Sequence, residues 1–272
     1  MKTIEKISSP LWKEAYDAAV KALLNNAHGP YDDLPRTAAW GYPEPYTRDL
    51  MISAFGVLAT GNEELITSLQ RVLVNLAANQ TTRGHIPSLV HDPADRGSSD
   101  STPLFLIGLE LYRQATGKSE FLSQAAHKAL QWMSYQSPDD GPMIGQLPTS
   151  DWRDEQWVFG YGLYVNMLAY IYLRLFGLHD RAAELRKAIN RLNIRTRRMN
   201  QLIPEGLRIS NKPYYAIWTY KAIKNERFDL LGNSLAIICS VAAPERSKQI
   251  IDFVETSCDE MRQKGELQGD LP

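Results

Sequence analysis

The sequence predicts an all-α fold built from repeated helical hairpins, and three observations carry that expectation. Apolar residues recur at spacings of three and four in nearly every long segment, while strand-like alternation hardly exceeds four residues. Tight turns alternate with long connections at 27–47, 81–100, 137–157 and 200–211, which hold most of the prolines. Features also recur about every fifty residues, as "RD" at 48–49, "SSD" at 98–100, "WRD" at 152–154 and "PEG" at 204–206. A closed ring of hairpins would gather the long loops at one end, whereas an open solenoid would present a concave face to a peptide.

Taken in order, residues 11–26 read as a first helix. Segments 48–60 and 62–80 form a pair around Gly61, 101–116 with 119–136 a second pair, and 158–177 with 180–199 a third. Segments 212–223, 228–240 and 244–264 complete about ten helices. The "GYG" at 160–162 falls inside one of these helical runs and makes no dinucleotide motif.

Bulk composition narrows the function classes. The chain has 272 residues and 44% hydrophobic residues, enough for a sizeable core. Thirty basic against thirty-one acidic residues, without a dense Lys/Arg tract, argue against nucleic acid or an anionic membrane as partner. Cys239 and Cys258 make no disulfide framework and read as buried thiols. The N-terminus lacks a signal-like apolar run and no stretch approaches eighteen apolar residues, so a cytoplasmic location is expected.

The long loops carry the candidate chemistry. In "GYPEPYTRDLMISAFG", Tyr42 and Tyr46 flank prolines, and Arg48 and Asp49 lie just inside a helix start. Asp49 there either favours the helix dipole or joins Arg48 in gripping sugar hydroxyls while an aromatic face stacks on the ring. His85 and His91 are not spaced for a metal on one helix face, and they keep a sugar epimerase only faintly in view. Ser99, Asp100, Ser101 and Thr102 precede Pro103, so one of them caps a helix; Asp100 is also placed to face a ligand.

The loop "PTSDWRDEQW" (148–157) sets Asp151, Asp154 and Glu155 among Trp152 and Trp157. The acids either stabilise a helix start or, shielded by the indoles, gain the raised pKa that a general acid needs. A carboxyl beside an aromatic wall recurs in glycoside cleavage. Downstream, Asn166 is a lone amide among apolar residues and requires a partner if buried. Glu205 falls one repeat beyond Asp154 and is a candidate second carboxyl. No phosphate loop, nucleophile elbow or CxxC pair is present.

Together these segments resemble a known superfamily. "PYTRDLMISAFG" resembles the Arg-Asp motif of glycogen-debranching amylo-α-1,6-glucosidases, and "SSDSTPLFLIGLELY" an Asp-containing segment they share with alkaline/neutral invertases. "DWRDEQWVFGYGLYVNMLAY" resembles the segment bearing their general acid, and "LRISNKPYYAIW" their Asn-containing approach to a later helix. The resemblance covers most of residues 40–240 in order, and it implies one (α/α)6 toroid domain over 1–272, from the six-hairpin glycosidase superfamily. It implies an inverting glycoside hydrolase for an α-glucoside or related sugar, needing no cofactor and no metal. Asp154 matches the general acid, with Asp151 as the fallback. Arg48, Asp49 and Asp100 match sugar-gripping positions, and Asn166 a polar residue near the same pocket. Tyr46 and Trp152 supply the aromatic faces.

Two departures bear on that expectation. The families carry a Glu two residues before the Asn, where this chain has Tyr164. Their water-activating carboxylate, roughly 6.5–9.5 Å from the acid, has no counterpart before residue 272. About ten helices fall short of twelve, and "GELQGDLP" reads like the start of another loop, so a truncated chain or an unusual ring closure is expected. The alternative is a non-catalytic carbohydrate-binding or protein-interaction domain that keeps the pocket.

Overall fold

The structure is a computed structural model that describes residues 10–39, 41–192, 206–221 and 223–267. It is mostly helical, with nine helices and one small sheet among the described residues. The chain divides into two compact units, Met1–Met133 and Ser134–Pro272.

The first unit begins with α1 (Pro10–Asn26), which buries no residue fully, and continues with α2 (Thr47–Thr60), α3 (Glu63–Ala78), α4 (Ser101–Thr116) and α5 (Ser123–Ser134). Two residues encode the turn between α2 and α3. Gly61 adopts the left-handed conformation at φ 65° that ends α2, and the Asn62 side chain accepts a hydrogen bond from the Leu65 N–H at 3.1 Å to start α3. Helix α3 buries Leu65, Leu69, Val72, Leu73 and Leu76, the stripe that its three-and-four spacing predicts. Helix α4 is buried along most of its circumference and packs on α2 and α3, which makes it the axis of this unit.

In the second unit, β1 (Tyr161–Gly162) leads into α6 (Leu163–Leu175) and α7 (His179–Ile189). Then come β2 (Trp218–Tyr220), β3 (Ile223–Asn225), α8 (Leu230–Ile238) and α9 (Pro244–Gln263). Helix α6 is the buried axis and packs on α7 and α8. The sheet is antiparallel in the order β1-β2-β3, with Gly162 opposite Trp218 and Trp218 opposite Asn225.

This sheet corrects two helical expectations. The described residues of 212–223 form no helix, because Tyr214 to Thr219 is a buried run rich in aromatic and β-branched side chains, which suits a strand better. The expected helix at 158–177 starts only at Leu163. Its "GYG" lies at β1, where Gly160 sits at φ 71° and a Cβ would come within 2.6 Å of Tyr220 Cβ. A Cβ on Gly162 would lie 2.0 Å from the Gln146 Oε1 atom. The expected helix at 180–199 ends at Ile189, since residues 190–192 are not helical, while residues 193–199 and Glu205 lie outside the described residues. No described helix is long and apolar enough to cross a membrane. Cys239 and Cys258 are free and half-buried thiols.

Candidate functional site

Among the described residues, each unit carries a buried charge network that involves its long loops. In the first unit, backbone bonds draw loops 27–47 and 81–100 together: the Thr47 N–H donates to Ser88 O at 2.8 Å and the Val90 N–H to Pro45 O at 2.9 Å. The Thr47 hydroxyl adds a bond to Pro87 O at 2.8 Å. This clasp sets the start of α2 beside the start of α4. Arg48 then grips Asp100 with two hydrogen bonds, Nε to Oδ2 at 2.6 Å and Nη2 to Oδ1 at 3.2 Å. The Ser98 hydroxyl donates to Asp100 Oδ1 at 2.6 Å.

Asp100 occupies the N-cap position of α4, yet its side chain makes no capping bond, because Arg48 and Ser98 engage it instead. It is fully buried, whereas Arg48 keeps a partly exposed edge. Asp49, one residue on, is exposed in the first turn of α2. Tyr46 is half-buried, and burial pushes its phenol above the ordinary value. Its ring meets Tyr42 edge-on with centroids 6.3 Å apart. His85 stacks on Trp132 at 4.7 Å, and burial lowers its pKa, while His91 lies against Tyr31 at 4.2 Å. Among the described residues no three His, Cys, Asp or Glu side chains gather as a metal site.

In the second unit the loop that carries the acids is held by Arg153. Its Nη2 meets Asp151 Oδ2 at 2.5 Å, its Nε donates to Asp151 Oδ1 at 3.1 Å, and its Nη1 lies 3.0 Å from Asp229 Oδ2. Gln146 Nε2 donates to Asp151 Oδ2 at 3.0 Å, and the Arg153 N–H to Asp151 Oδ1 at 2.8 Å. All three charged side chains are buried. Burial alone would raise the Asp151 carboxyl, but hydrogen bonds from Arg153 and Gln146 outweigh it and hold it below its ordinary value. Asp229 goes the other way: burial pushes it up by more than Arg153 pulls it down.

The loop therefore alternates. Asp151 and Arg153 point inward and are anchored, while Trp152, Asp154, Glu155 and Gln156 are exposed. Trp152, 44% exposed, lies with its ring centroid 5.4 Å from the Arg153 guanidinium. It forms one wall of an open pocket of about 490 Å³, lined also by Ile217, Phe228, Leu230 and Leu231, with Asp229 and Arg153 in the lining.

The predicted residues are thus placed as follows. Arg48 and Asp100 meet directly, beside Tyr46 and Asp49 in sequence. Asp151, Trp152 and Asp154 share one turn. The expected shielding falls elsewhere: Asp154 is exposed and neither indole buries it, while the carboxyl raised by burial is Asp229. Asp151 is an anchor for Arg153, and its lowered pKa suits it poorly to donating a proton. Asn166 found its partners: Nδ2 donates to Ile144 O at 2.9 Å and Gly162 O at 2.8 Å, and Oδ1 accepts from the Ile144 N–H at 2.8 Å. These bonds tie the start of α6 to the preceding loop.

Sequence reasoning missed Arg153 and Asp229. The only signal for Asp229 was an acid directly before the apolar run of α8, a place that Asp100 also takes before α4. No protein-family model matches the chain, and no curated protein matches it in sequence.

Proposed function

We propose that this chain acts on glycosides, as an inverting hydrolase of α-glucosides in which Asp154 protonates the leaving oxygen. The observation that carries the reading is the anchored loop of the second unit. Buried Asp151 and Arg153 fix a turn that turns an indole toward an open pocket and exposes a carboxyl two residues further on. Indole faces stack on the C–H face of a sugar, and a neighbouring carboxyl supplies the proton that glycosidic C–O cleavage needs.

In the proposed reaction the C–O bond to the leaving sugar breaks as its oxygen takes the Asp154 proton. Water attacks the anomeric carbon from the opposite face and gives its proton to a second carboxylate, and the product is the inverted hemiacetal. Glu205 is the candidate for that carboxylate. The Arg48–Asp100 pair, with Tyr46 and Asp49, is assigned to sugar hydroxyls within the first unit, and an (α/α)6 arrangement of hairpins is the architecture that this reading expects. Measuring sugar release from sucrose, maltose, isomaltose and a branched α-glucan, beside an Asp154→Asn protein, tests the reading. Release that the variant abolishes at unchanged helical content supports it; equal release by both proteins removes Asp154 from the mechanism.

A second reading has its own observation. The buried acid of the loop, Asp151, is committed to Arg153, and Asp154 lies in water. That arrangement also suits a site that binds sugar without cleaving it. Sugar binding without release in the same experiment would select this reading.

A further inference from the structure

The second unit holds a cavity that the glycoside reading leaves unused. It measures about 270 Å³ and lies between the loop after α5 and the α6–α7 hairpin. Pockets for drug-sized ligands run to roughly 300–1,000 Å³, so its occupant is smaller than those. The loop side of the cavity is fixed. The Gly145 N–H donates to Gln136 O at 2.8 Å and closes the loop, and Asn166 of α6 holds Ile144 by both its N–H and its carbonyl. Ile144 and Leu173 are buried and give the cavity an apolar wall.

The polar lining carries the argument. Tyr172 of α6 is 1% exposed, yet its hydroxyl has no hydrogen-bond partner among the described residues. Buried polar groups are nearly always bonded, so a hydroxyl left over in a cavity wall marks a place for a ligand atom. Burial pushes this phenol up to about 12, against the pull of Arg181, so it stays a hydrogen-bond donor at neutral pH. Three charged side chains line the same cavity. Arg181 and Glu184 stand three residues apart on α7 and so share a face, and Asp140 comes from the loop. All three are exposed, and none of them pairs with an opposite charge among the described residues.

These groups select the occupant. A guanidinium and a phenolic O–H suit a carboxylate, and two carboxylates suit an ammonium group. A phosphate would meet two like charges, and an amine alone would leave Arg181 and the phenol without a partner. A sugar ring would find no open aromatic face, because Tyr172 is the only aromatic ring among the described lining residues and is buried. A small zwitterion answers both signs at once and lays its side chain against Ile144 and Leu173.

We propose that this cavity binds a free α-amino acid with an aliphatic side chain, its carboxylate on Arg181 and the Tyr172 hydroxyl and its ammonium on Glu184 and Asp140. The site does not depend on the glycoside reading, and its failure would leave that reading untouched.

The test is calorimetric titration of the full chain with L-leucine and L-alanine, alongside isocaproate and isoamylamine, which keep the leucine skeleton and lack one charge each. L-leucine is expected to bind more tightly than L-alanine, and each singly charged probe at least about tenfold more weakly than L-leucine. Tyr172→Phe should weaken L-leucine on the order of tenfold while leaving thermal stability unchanged or raised, because the deleted hydroxyl has no protein partner. Arg181→Gln, at an exposed position that leaves the core intact, should weaken it at least as much. Isocaproate binding as tightly as L-leucine overturns the zwitterion assignment. Affinity unchanged in both variants, or no saturable binding of either amino acid at millimolar concentration, overturns the site.

Discussion

Replacing Arg153 with Met probes the buried charge network most sharply. The side chain is nearly isosteric along its stem, but Asp151 and Asp229 are left facing each other in the interior without their cation. Breaking a buried ion pair by removing one partner typically costs about 3–5 kcal/mol, far above the roughly 0–1 kcal/mol of an exposed pair. Spread over a domain of this size, that is a fall in Tm of about 6–20 °C. Denaturant unfolding followed by far-UV circular dichroism reads the loss. The triple variant Asp151→Asn, Arg153→Met, Asp229→Asn should recover most of it, since no buried charge then lacks a partner.

The pH dependence of the same experiment has a defined sign. The folded pKa of Asp151 is depressed, so its contribution is present above the unfolded value and is lost as pH falls through the folded one. The folded pKa of Asp229 is raised, so its contribution is present below the unfolded value and is lost as pH rises through the folded one. Without Arg153 both carboxyls are raised, and the destabilisation of Arg153→Met should shrink as the pH is lowered and both neutralise. A cost below about 1 kcal/mol at neutral pH, or one that does not change with pH, would refute the argument that these groups form a buried, coupled network.

Other expectations follow from single positions. Asn166→Ala removes three buried backbone-directed bonds and should cost about 2–4 kcal/mol in denaturant unfolding, with far-UV dichroism retained in the folded state. Gly160→Ala forces a Cβ against Tyr220 at a positive φ and should cost more than about 2 kcal/mol by the same assay. Asp100→Ala removes both Arg48 bonds to that carboxylate and should cost about 2–3 kcal/mol while weakening sugar binding in titration; unchanged sugar affinity would take Asp100 out of sugar binding.

Much of the helical framework was legible because its signals are local. The three-and-four spacing of Leu65, Leu69, Val72 and Leu76, and the Gly61–Asn62 punctuation, give α3 its face and its start without reference to the rest of the chain. The small sheet was not legible. Its strands are two or three residues long, and their pairing joins Gly162 to Trp218 across a long stretch of sequence. For the site, an amide at Asn166 announced its own need for partners, and Asp100 its place before α4. The roles within "DWRDEQW" were hidden for a different reason. Which acid faces inward depends on where Arg153 and Asp229 meet, and that is a long-range contact no local spacing encodes.

The assignment of proton donation to Asp154 is tested most directly by changing the leaving group's need for a proton. Turnover of α-glucosyl fluoride, whose fluoride departs with little protonation, is compared with turnover of maltose for the unsubstituted chain and for Asp154→Asn. The account predicts that the variant keeps most of its turnover of the fluoride and loses about 10²–10⁴-fold on maltose. Equal losses on both substrates, or maltose turnover unchanged in the variant, would contradict it.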